Sequence, residues 1–288
     1  MTKKHLQILI GVLIAVGVIA AMLNFRPATV NKFLAVDSGH RQIMGTFARV
    51  VVVATDDETG WECIEAAFEK IRLINVLMSK YRPDSQISKV NAAAFNGPVE
   101  VDKLVFFLLE KSIAYSKKTN GAFDITVGPL INLWKQAEEA NSLPSEEALA
   151  VAKAKVGSDK LQLNAAKHTV RFAVDGMKLD LGAIAKGYAI DLAIESAKER
   201  GAAGVMVDIG GDIRCFGTTP KGKKNWLIGL QNPVDTRPNT KNIISKLKIS
   251  NGQLLPAAIT EDLSLSTAGS TATSSIQPHQ TVPKNCRA

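Results

Sequence analysis

An uncharged apolar stretch near the N-terminus places the strongest single constraint on how this chain can fold. Residues 6–25 (LQILIGVLIAVGVIAAMLNF) carry no charged side chain and follow Lys3 and Lys4. As a helix, a stretch of this length rises about 30 Å at ~1.5 Å per residue, which matches the hydrocarbon core of a bilayer. We therefore predict one N-terminal transmembrane helix, with residues 1–30 forming an export signal or membrane anchor.

Two features favour an anchor that is retained over a signal that is removed. The apolar run is longer than the roughly 7 to 15 residues of a cleaved signal peptide, and no clean small-x-small cleavage site precedes Arg26. Lys3 and Lys4 assign the short N-terminal side to the cytoplasm by the positive-inside rule. We expect the remainder of the chain to lie outside the cytoplasm.

The predicted export and the cysteine pattern argue against a nucleic-acid-binding role and against a disulfide framework. The formal net charge is +8, and residues 221–248 hold seven Lys or Arg against Asp235. Because an exported protein meets little nucleic acid, we predict no nucleic-acid partner and interpret this stretch as a solvated loop or a membrane-surface contact. Cys63, Cys215 and Cys286 are odd in number and lack metal-type spacing, so we expect no disulfide framework, with Cys63 and Cys215 in the core.

Beyond the anchor, residues 31–269 show the pattern of one large α+β domain with mixed sheets and packed helices. A strand is predicted over 47–54, and a capping box of Thr59 and Glu62 begins a helix with apolar residues at helical spacing. Further helices are predicted over 101–117, 145–155 and 184–200. Hairpins are predicted at 161–163 with 170–174, and at 205–209 with 213–217 around Gly210, Gly211 and Asp212.

Residues 179–191 (LDLGAIAKGYAID) combine an acid, a glycine turn, a lysine and a helix start. Residues 179–181 resemble the end of a strand, and Gly182 lies where backbone N–H groups are free. A helix N-terminus beside Lys186 attracts anions, so this unit is suited to a phosphate or a metal. An ordinary strand-to-helix connection with Lys186 in solvent would show the same spacing.

Other loop motifs, each present once, follow a definite order along the chain on both sides of this unit. They are MGT at 44–46, YRPDSQISKVN at 81–91, GAFDITVGPLINLW at 121–134, and VDIGGDIR at 207–214 with WLIGLQNP at 226–233. Together with LDLGAIAKGYAID, they resemble the ApbE-type FAD:protein FMN transferases over residues 44–267. The resemblance implies an ApbE-like flavin transferase fold behind the transmembrane helix.

The resemblance also implies a set of FAD-contacting residues at the matching positions. They are Met44, Tyr81, Ala122, Phe123, Asp124, Asp180 and Lys186. Tyr81 and Met44 can cover flat rings, the carboxylates can accept hydrogen bonds from ribose hydroxyl or ring N–H groups, and Lys186 can face the pyrophosphate. We assign Lys186 and Asp180 to catalysis as well as to FAD binding.

The implied reaction is a Mg²⁺-dependent transfer of FMN from FAD to a threonine hydroxyl of a partner protein, with release of AMP. The family takes one Mg²⁺ ligand from the position of Ala183, which can offer only its backbone carbonyl oxygen. The expected acceptors are flavin-carrying subunits of respiratory membrane complexes. With the anchor, this class of partner implies the periplasmic side of a bacterial inner membrane.

The sequence departs from the family after Gly269. Members continue with a D-Y pair, a His before a [DN]-P-x-T-G stretch, and a late Asp and Thr that complete the Mg²⁺ site. Residues 270–288 (STATSSIQPHQTVPKNCRA) contain none of these motifs, and their polar, aperiodic composition favours disorder. We expect a frameshift here, because another reading frame over residues 270–276 can encode aromatic residues, with a sequencing error or a natural truncation as alternatives.

This departure leaves three functional hypotheses open. The first is an active flavin transferase, and the second is a catalytically inactive, truncated relative that at most binds flavin weakly. The third is an anchored structural or interaction domain without flavin, which would make all of the ordered motifs accidental.

Overall fold

The computed structural model describes residues 33–232 and 243–254, so the predicted anchor and the predicted tail lie outside the described residues. The strands are β1 (Leu34–Asp37), β2 (Arg41–Ile43), β3 (Thr46–Ala54), β4 (Val99–Glu100), β5 (Leu161–Asn164), β6 (Thr169–Phe172), β7 (Gly204–Ile209), β8 (Asp212–Gly217), β9 (Trp226–Gln231), β10 (Ile243–Ile249) and β11 (Gln253–Leu254). The helices are α1 (Asp57–Met78), α2 (Gln86–Ala93), α3 (Lys103–Lys118), α4 (Gly128–Glu139), α5 (Glu146–Ala154) and α6 (Ala185–Glu199). Within those two ranges, no helix is both long and apolar enough to cross a membrane.

The main sheet is built on β3, the strand with the most continuous apolar sequence. Strands pair in the order β1-β3-β7-β8-β11, with β2 also paired to β3, and these pairings are antiparallel. Val50 and Val52 face one hydrophobic core, whereas Val51 and Val53 face another. A strand that is buried on both faces needs apolar side chains at successive positions, which explains the run RVVVVA.

Two different layers cover the two faces of this sheet. On one face, α1 and α6 pack against each other and against β3 and β7, burying Phe68, Ile74 and Ile190. On the other face, the β9-β10 hairpin brings Trp226 and Ile228 against Val51. A separate small sheet has the order β4-β6-β5. The predicted α+β class is confirmed by this arrangement of antiparallel sheets and packed helices.

Most of the predicted elements are present, but two local predictions are wrong. Helix α1 is capped by Asp56, whose carboxylate accepts the Thr59 N–H at 2.8 Å, because an Asp three residues earlier competes successfully with the predicted Thr59 and Glu62 box. Residues 179–181 do not form a strand. The nearest pairing is an isolated parallel bridge between Val127 and Lys178.

Helices α2 and α4 were not anticipated from the sequence, because both lie inside motifs interpreted as loops. Helix α2 begins after Ser85, whose side chain accepts the Ser88 N–H, and α4 begins with Gly128 and Pro129. Pro early in a helix is favoured because its missing N–H has no partner there. Cys63 and Cys215 are buried free thiols, as predicted.

Candidate functional site

The segment before α6 is held by side-chain and backbone contacts from two other motifs. The Asn91 amide donates to the Leu179 carbonyl at 2.9 Å and accepts the Leu179 N–H at 2.6 Å. The Asp180 N–H donates to the Ile125 carbonyl at 2.7 Å. Asn91 therefore satisfies the two Leu179 backbone groups that a strand partner would otherwise bind, which explains why this strand-like sequence lies here without joining a sheet.

Asp180 is the most enclosed charged group of this segment. Its side chain is 9% exposed, and the Lys80 ammonium lies 2.5 Å from its Oδ2. The Gly182 N–H donates to its Oδ1 at 2.8 Å. Both carboxylate oxygens thus have a donor, which limits the rotation of the side chain.

The ion pair changes the protonation behaviour of Lys80. Partial burial lowers the pKa of the Lys80 ammonium, but its hydrogen bond to Asp180 and the charge of Asp180 together raise it further, so the net pKa lies above its ordinary value. Lys80 therefore remains a cation throughout the neutral range. The charge of Asp180 is balanced at the site by a residue that the family resemblance did not indicate.

A cleft of about 260 Å³ opens beside this pair. Its wall is formed by residues of three of the motifs and by Lys80, Ala92 and Lys178, which lie just outside them. Most of these residues are polar. They are Lys80, Ser88, Asn91, Ala92, Gly128, Asn132, Lys178, Leu179 and Asp180. A concave polar surface with a balanced ion pair is suited to the hydroxyl, phosphate or ring-edge groups of a nucleotide.

Glycine is required where α4 forms part of the cleft wall. A Cβ on Gly128 would lie 2.6 Å from the Lys178 carbonyl oxygen, well inside van der Waals contact. This close approach accompanies the bridge between Val127 and Lys178. The glycine of the GPL sequence therefore serves backbone packing, so it carries no direct implication of ligand contact.

Tyr81 and Phe123, the two aromatic residues implied in FAD binding, differ in exposure. Tyr81 is 82% exposed, and the Lys80 ammonium lies 5.1 Å from its ring centroid. Phe123 is half-buried against the main core and makes an edge-to-face contact with Tyr115 at 6.3 Å. Ala122 is exposed on the same turn. Tyr81 is the better placed of the two rings to cover a flat ligand.

The Asp124 carboxylate accepts hydrogen bonds from two loops of the protein. Its Oδ1 accepts the N–H and the hydroxyl of Thr126 at 2.8 and 2.7 Å, and its Oδ2 accepts the Ser158 N–H at 3.0 Å. The Thr126 hydroxyl also accepts the Gly157 N–H at 2.8 Å. Asp124 therefore joins the GAFD turn to the loop before β5, in addition to any ligand it contacts.

Lys186 pairs with a second unpredicted residue. Its ammonium lies 2.7 Å from Oδ2 of Asp212, the first residue of β8. One turn further along α6, Asp191 pairs with Arg214. These two ion pairs fasten LDLGAIAKGYAID to VDIGGDIR. Helix α6 has no side-chain cap at its start, but its first N–H, that of Ala185, donates to the Leu181 carbonyl at 2.8 Å, so only the amide N–H groups that follow it remain for an anion.

The MGT turn lies against the same glycine turn. Met44 and Gly45 both have positive φ angles, of 55° and 72°, as a two-residue hairpin of type I′ requires. A Cβ on Gly210 would lie 2.8 Å from Thr46 Oγ1, so the two turns touch. Met44 is half-buried and packs on the main core. A methionine in this conformation is strained by its backbone.

Ala183, the predicted Mg²⁺ ligand, is exposed in the turn before α6. In the part of the chain that the structure describes, no three His, Cys, Asp or Glu residues are grouped so that they could hold a metal ion. One carbonyl oxygen is too few ligands for Mg²⁺. The described residues therefore do not form a magnesium site by themselves.

Sequence reasoning missed Lys80, Asn91 and Asp212, which hold Asp180, Leu179 and Lys186 in place. Lys80 directly precedes the YRPDSQISKVN motif, Asn91 is the last residue of that motif, and Asp212 lies in the predicted hairpin turn. Their types were visible, but each acts across a long sequence separation. A charged residue directly beside a predicted ligand residue was the one available signal for Lys80.

Comparison with known proteins identifies the family of this chain. The model of the ApbE family matches residues 44–285. The chain belongs to the ApbE family. It is 35% identical over 231 residues to an FAD:protein FMN transferase of Haemophilus influenzae, covering 76% of this chain and 65% of that protein.

Solved structures of ApbE proteins share the fold. The ApbE protein of Thermotoga maritima superposes with a TM-score of 0.64 and 29% identity, over 77% of this chain and 69% of that one. The flavin transferase ApbE of Vibrio cholerae gives a TM-score of 0.62 and 28% identity, over 70% and 65%. This chain thus spans slightly less than two thirds of the Haemophilus and Vibrio relatives. The motif-based resemblance is confirmed, and the roles of individual residues remain predictions.

Proposed function

We propose that this protein transfers FMN from FAD to a threonine hydroxyl of a partner protein. The observation that carries the proposal is the convergence of the ordered motifs on one segment: Lys80 and Asn91, Ile125, and Asp212 each bind a different part of residues 179–186. Relatives that are 35% and 29% identical to this chain are named FAD:protein FMN transferase.

The proposed step is a phosphoryl transfer. The threonine oxygen forms a bond to the FMN-side phosphorus of FAD, the bond from that phosphorus to the bridging oxygen breaks, and AMP leaves with that oxygen. The hydroxyl proton is released. In such a step, the protein acts mainly by positioning the reactants and by stabilising the charge on the phosphate oxygens.

The described residues divide this work between two ends of the segment. Tyr81 offers an open ring face for the isoalloxazine or adenine ring, and Asp180 offers carboxylate oxygens beside the cleft. At the other end, Lys186 and the uncapped start of α6 supply positive potential for the pyrophosphate. Asp212 must then share the Lys186 ammonium with the phosphate.

Mg²⁺ dependence belongs to the proposal through the family alone. When bound, Mg²⁺ would neutralise charge on the pyrophosphate as the bond to AMP breaks. Among the described residues, the Ala183 carbonyl is the one ligand that the family resemblance assigns to the ion. Mg²⁺ commonly takes several of its ligands from substrate phosphates and water, so a sparse protein contribution suits it.

We also propose the place of action. An uncleaved helix over residues 6–25 would hold the domain on the periplasmic side of a bacterial inner membrane, where flavin-carrying subunits of respiratory complexes are the expected acceptors. A reporter that is active only outside the cytoplasm, fused after residue 254, should be active and should remain with membranes after alkaline washing. An inactive reporter would contradict the proposed orientation.

The transfer reaction is tested with the full chain, FAD, Mg²⁺ and a flavin-acceptor domain. We expect the intact mass of the acceptor to rise by that of FMN with stoichiometric AMP, and the gain to disappear when the acceptor threonine is replaced by alanine. Asp180→Ala and Lys186→Ala should each reduce the rate at least about tenfold. Lys198→Ala is the matched control, since Lys198 lies on α6 and pairs with Glu195 on the surface.

Three results are distinguishable. A folded protein that binds FAD without transferring FMN would support the alternative of an inactive, flavin-binding relative. A folded protein that does not bind FAD would contradict both. Transfer that is unaffected by Asp180→Ala and Lys186→Ala would support the proposed reaction but would contradict the assignment of these two residues to its site.

A further inference from the structure

Lys80 occupies the junction between the exposed ring of Tyr81 and the enclosed carboxylate of Asp180. It directly follows Ser79, the C-cap residue of α1, and directly precedes Tyr81. Its side chain reaches across 100 sequence positions to Asp180. One residue thus connects the loop that presents the ring to the segment that presents the carboxylate.

The geometry of the pair favours a fixed arrangement. Asp180 is 9% exposed while Lys80 is 29% exposed, so the carboxylate depends on its protein donors for most of its solvation. Those donors are the Lys80 ammonium and the Gly182 N–H, one for each oxygen. Removing Lys80 would leave Oδ2 without its charged donor in a nearly buried position.

The same ammonium is poorly suited to be an independent ligand of a phosphate. Its charge is already balanced by Asp180 at 2.5 Å, and a phosphate would have to compete with that contact. Lys178, by contrast, is an exposed lysine on the wall of the same cleft, and within the described ranges it has no ion pair. Lys178 is therefore the better placed of the two cleft lysines to contact a phosphate.

We propose that Lys80 is a positioning residue, which orients the Asp180 carboxylate for FAD and couples it to the Tyr81 loop. This inference rests on the proposed function, because it assigns FAD as the ligand of Asp180. It predicts that Lys80 affects FAD affinity through Asp180 and makes no separate contribution of its own.

A double-mutant cycle on the full chain tests this coupling, with FAD affinity measured by the quenching of flavin fluorescence. We expect Lys80→Met to weaken FAD binding about tenfold in the wild-type background, as for loss of a hydrogen bond to a charged group. In the Asp180→Asn background, the same change should alter affinity less than about twofold, because the partner through which it acts is absent. Urea unfolding checks that each variant is folded, and Lys80→Gln replaces any Lys80→Met protein that is not.

Two further variants separate positioning from general electrostatics. Lys80→Arg keeps a cation that can pair with Asp180 and should restore affinity to within about threefold of the wild type. Lys167→Met removes a positive charge from an exposed lysine outside the cleft wall and should change affinity less than about twofold.

The possible results either support or overturn the inference. A loss from Lys80→Met that persists in full in the Asp180→Asn background would show that Lys80 acts independently of Asp180. No loss from Lys80→Met, in a wild type that binds FAD, would overturn the positioning role while leaving the proposed function intact. A folded wild type that binds no FAD would overturn the proposed function and this inference together.

Discussion

Asp124 and Asp180 are both aspartates that the family motifs associate with FAD, yet the structure surrounds them differently. Asp124 accepts three hydrogen bonds from Thr126 and Ser158, all of them neutral donors of the adjoining loops. Asp180 is paired with the cation Lys80 and lines the cleft. The first carboxylate is embedded in the loop structure, whereas the second is held at the edge of a space that a ligand could enter.

This difference predicts that the two aspartates divide structural work and ligand binding in different proportions. The donors around Asp124 hold two loops together, so its loss should be measured mainly in stability. The donors around Asp180 hold one side chain, so its loss should be measured mainly in ligand affinity. The following predictions test this division, from the largest expected effect to the smallest.

Replacing Asp124 should have the largest effect on stability. Asp124→Ala removes three accepted hydrogen bonds and leaves partly buried donors unpaired, so we expect a loss of about 2–4 kcal/mol in the free energy of unfolding. Asp124→Asn, which retains one oxygen acceptor, should lose about half as much. Urea denaturation measures both, and Asp159→Ala, at an exposed aspartate of the neighbouring turn, serves as control. Equal stability of Asp124→Ala and wild type would abolish the contrast with Asp180.

The cleft wall should tolerate added volume poorly. Gly128→Ala puts a Cβ 2.6 Å from the Lys178 carbonyl oxygen, and we expect the resulting backbone shift to cost about 1–3 kcal/mol. Gly97→Ala is the control, because no atom lies within 4 Å of its Cβ position. If thermal unfolding showed the two variants to be equally stable, the cleft wall would be flexible, and the cleft would not hold Asp180 in the fixed position that the comparison with Asp124 requires.

Removing the exposed ring should change binding without changing stability. Tyr81→Ala should weaken FAD binding about two- to tenfold, as expected for the loss of one ring contact, while unfolding free energy changes by less than about 0.5 kcal/mol. Phe95→Ala, which alters a partly exposed ring just after α2, provides the matched aromatic control. A fall in stability with unchanged affinity would place Tyr81 with Asp124 as a structural residue.

A third carboxylate, Asp208, should give the smallest effect and the clearest dependence on pH. Asp208 is 8% exposed and accepts the Gly211 N–H, and burial raises its pKa despite opposing contributions from that bond, His40 and Arg49. A group whose folded pKa is raised favours folding below its unfolded pKa and loses that contribution as pH rises through the folded pKa. The free energy of unfolding of Asp208→Asn, relative to that of the wild type, should therefore increase as the pH rises from about 4 to about 7.5. A relative loss over that interval in urea melts would contradict this sign.

Local sequence patterns predicted much of the fold correctly. The apolar run of β3, the helical spacing in α1 and α6, and the glycines between β7 and β8 specified these elements because their signals are short-range. The sequence failed where a long-range contact replaced a local one. The sequence of residues 179–181 predicts a strand, but Leu179 bonds to the side chain of Asn91 and the Asp180 N–H to the Ile125 carbonyl.

The sequence by itself determined the order of the motifs, the family they belong to and the α+β class, and it supplied the candidate site residues. Only the tertiary structure decided which charges meet: Lys80 with Asp180, Lys186 with Asp212, and Asp124 with the loop before β5. The physical reason is range. Periodicity and turn propensity act over a few residues, whereas an ion pair depends on two side chains that packing of the core brings together from distant parts of the chain.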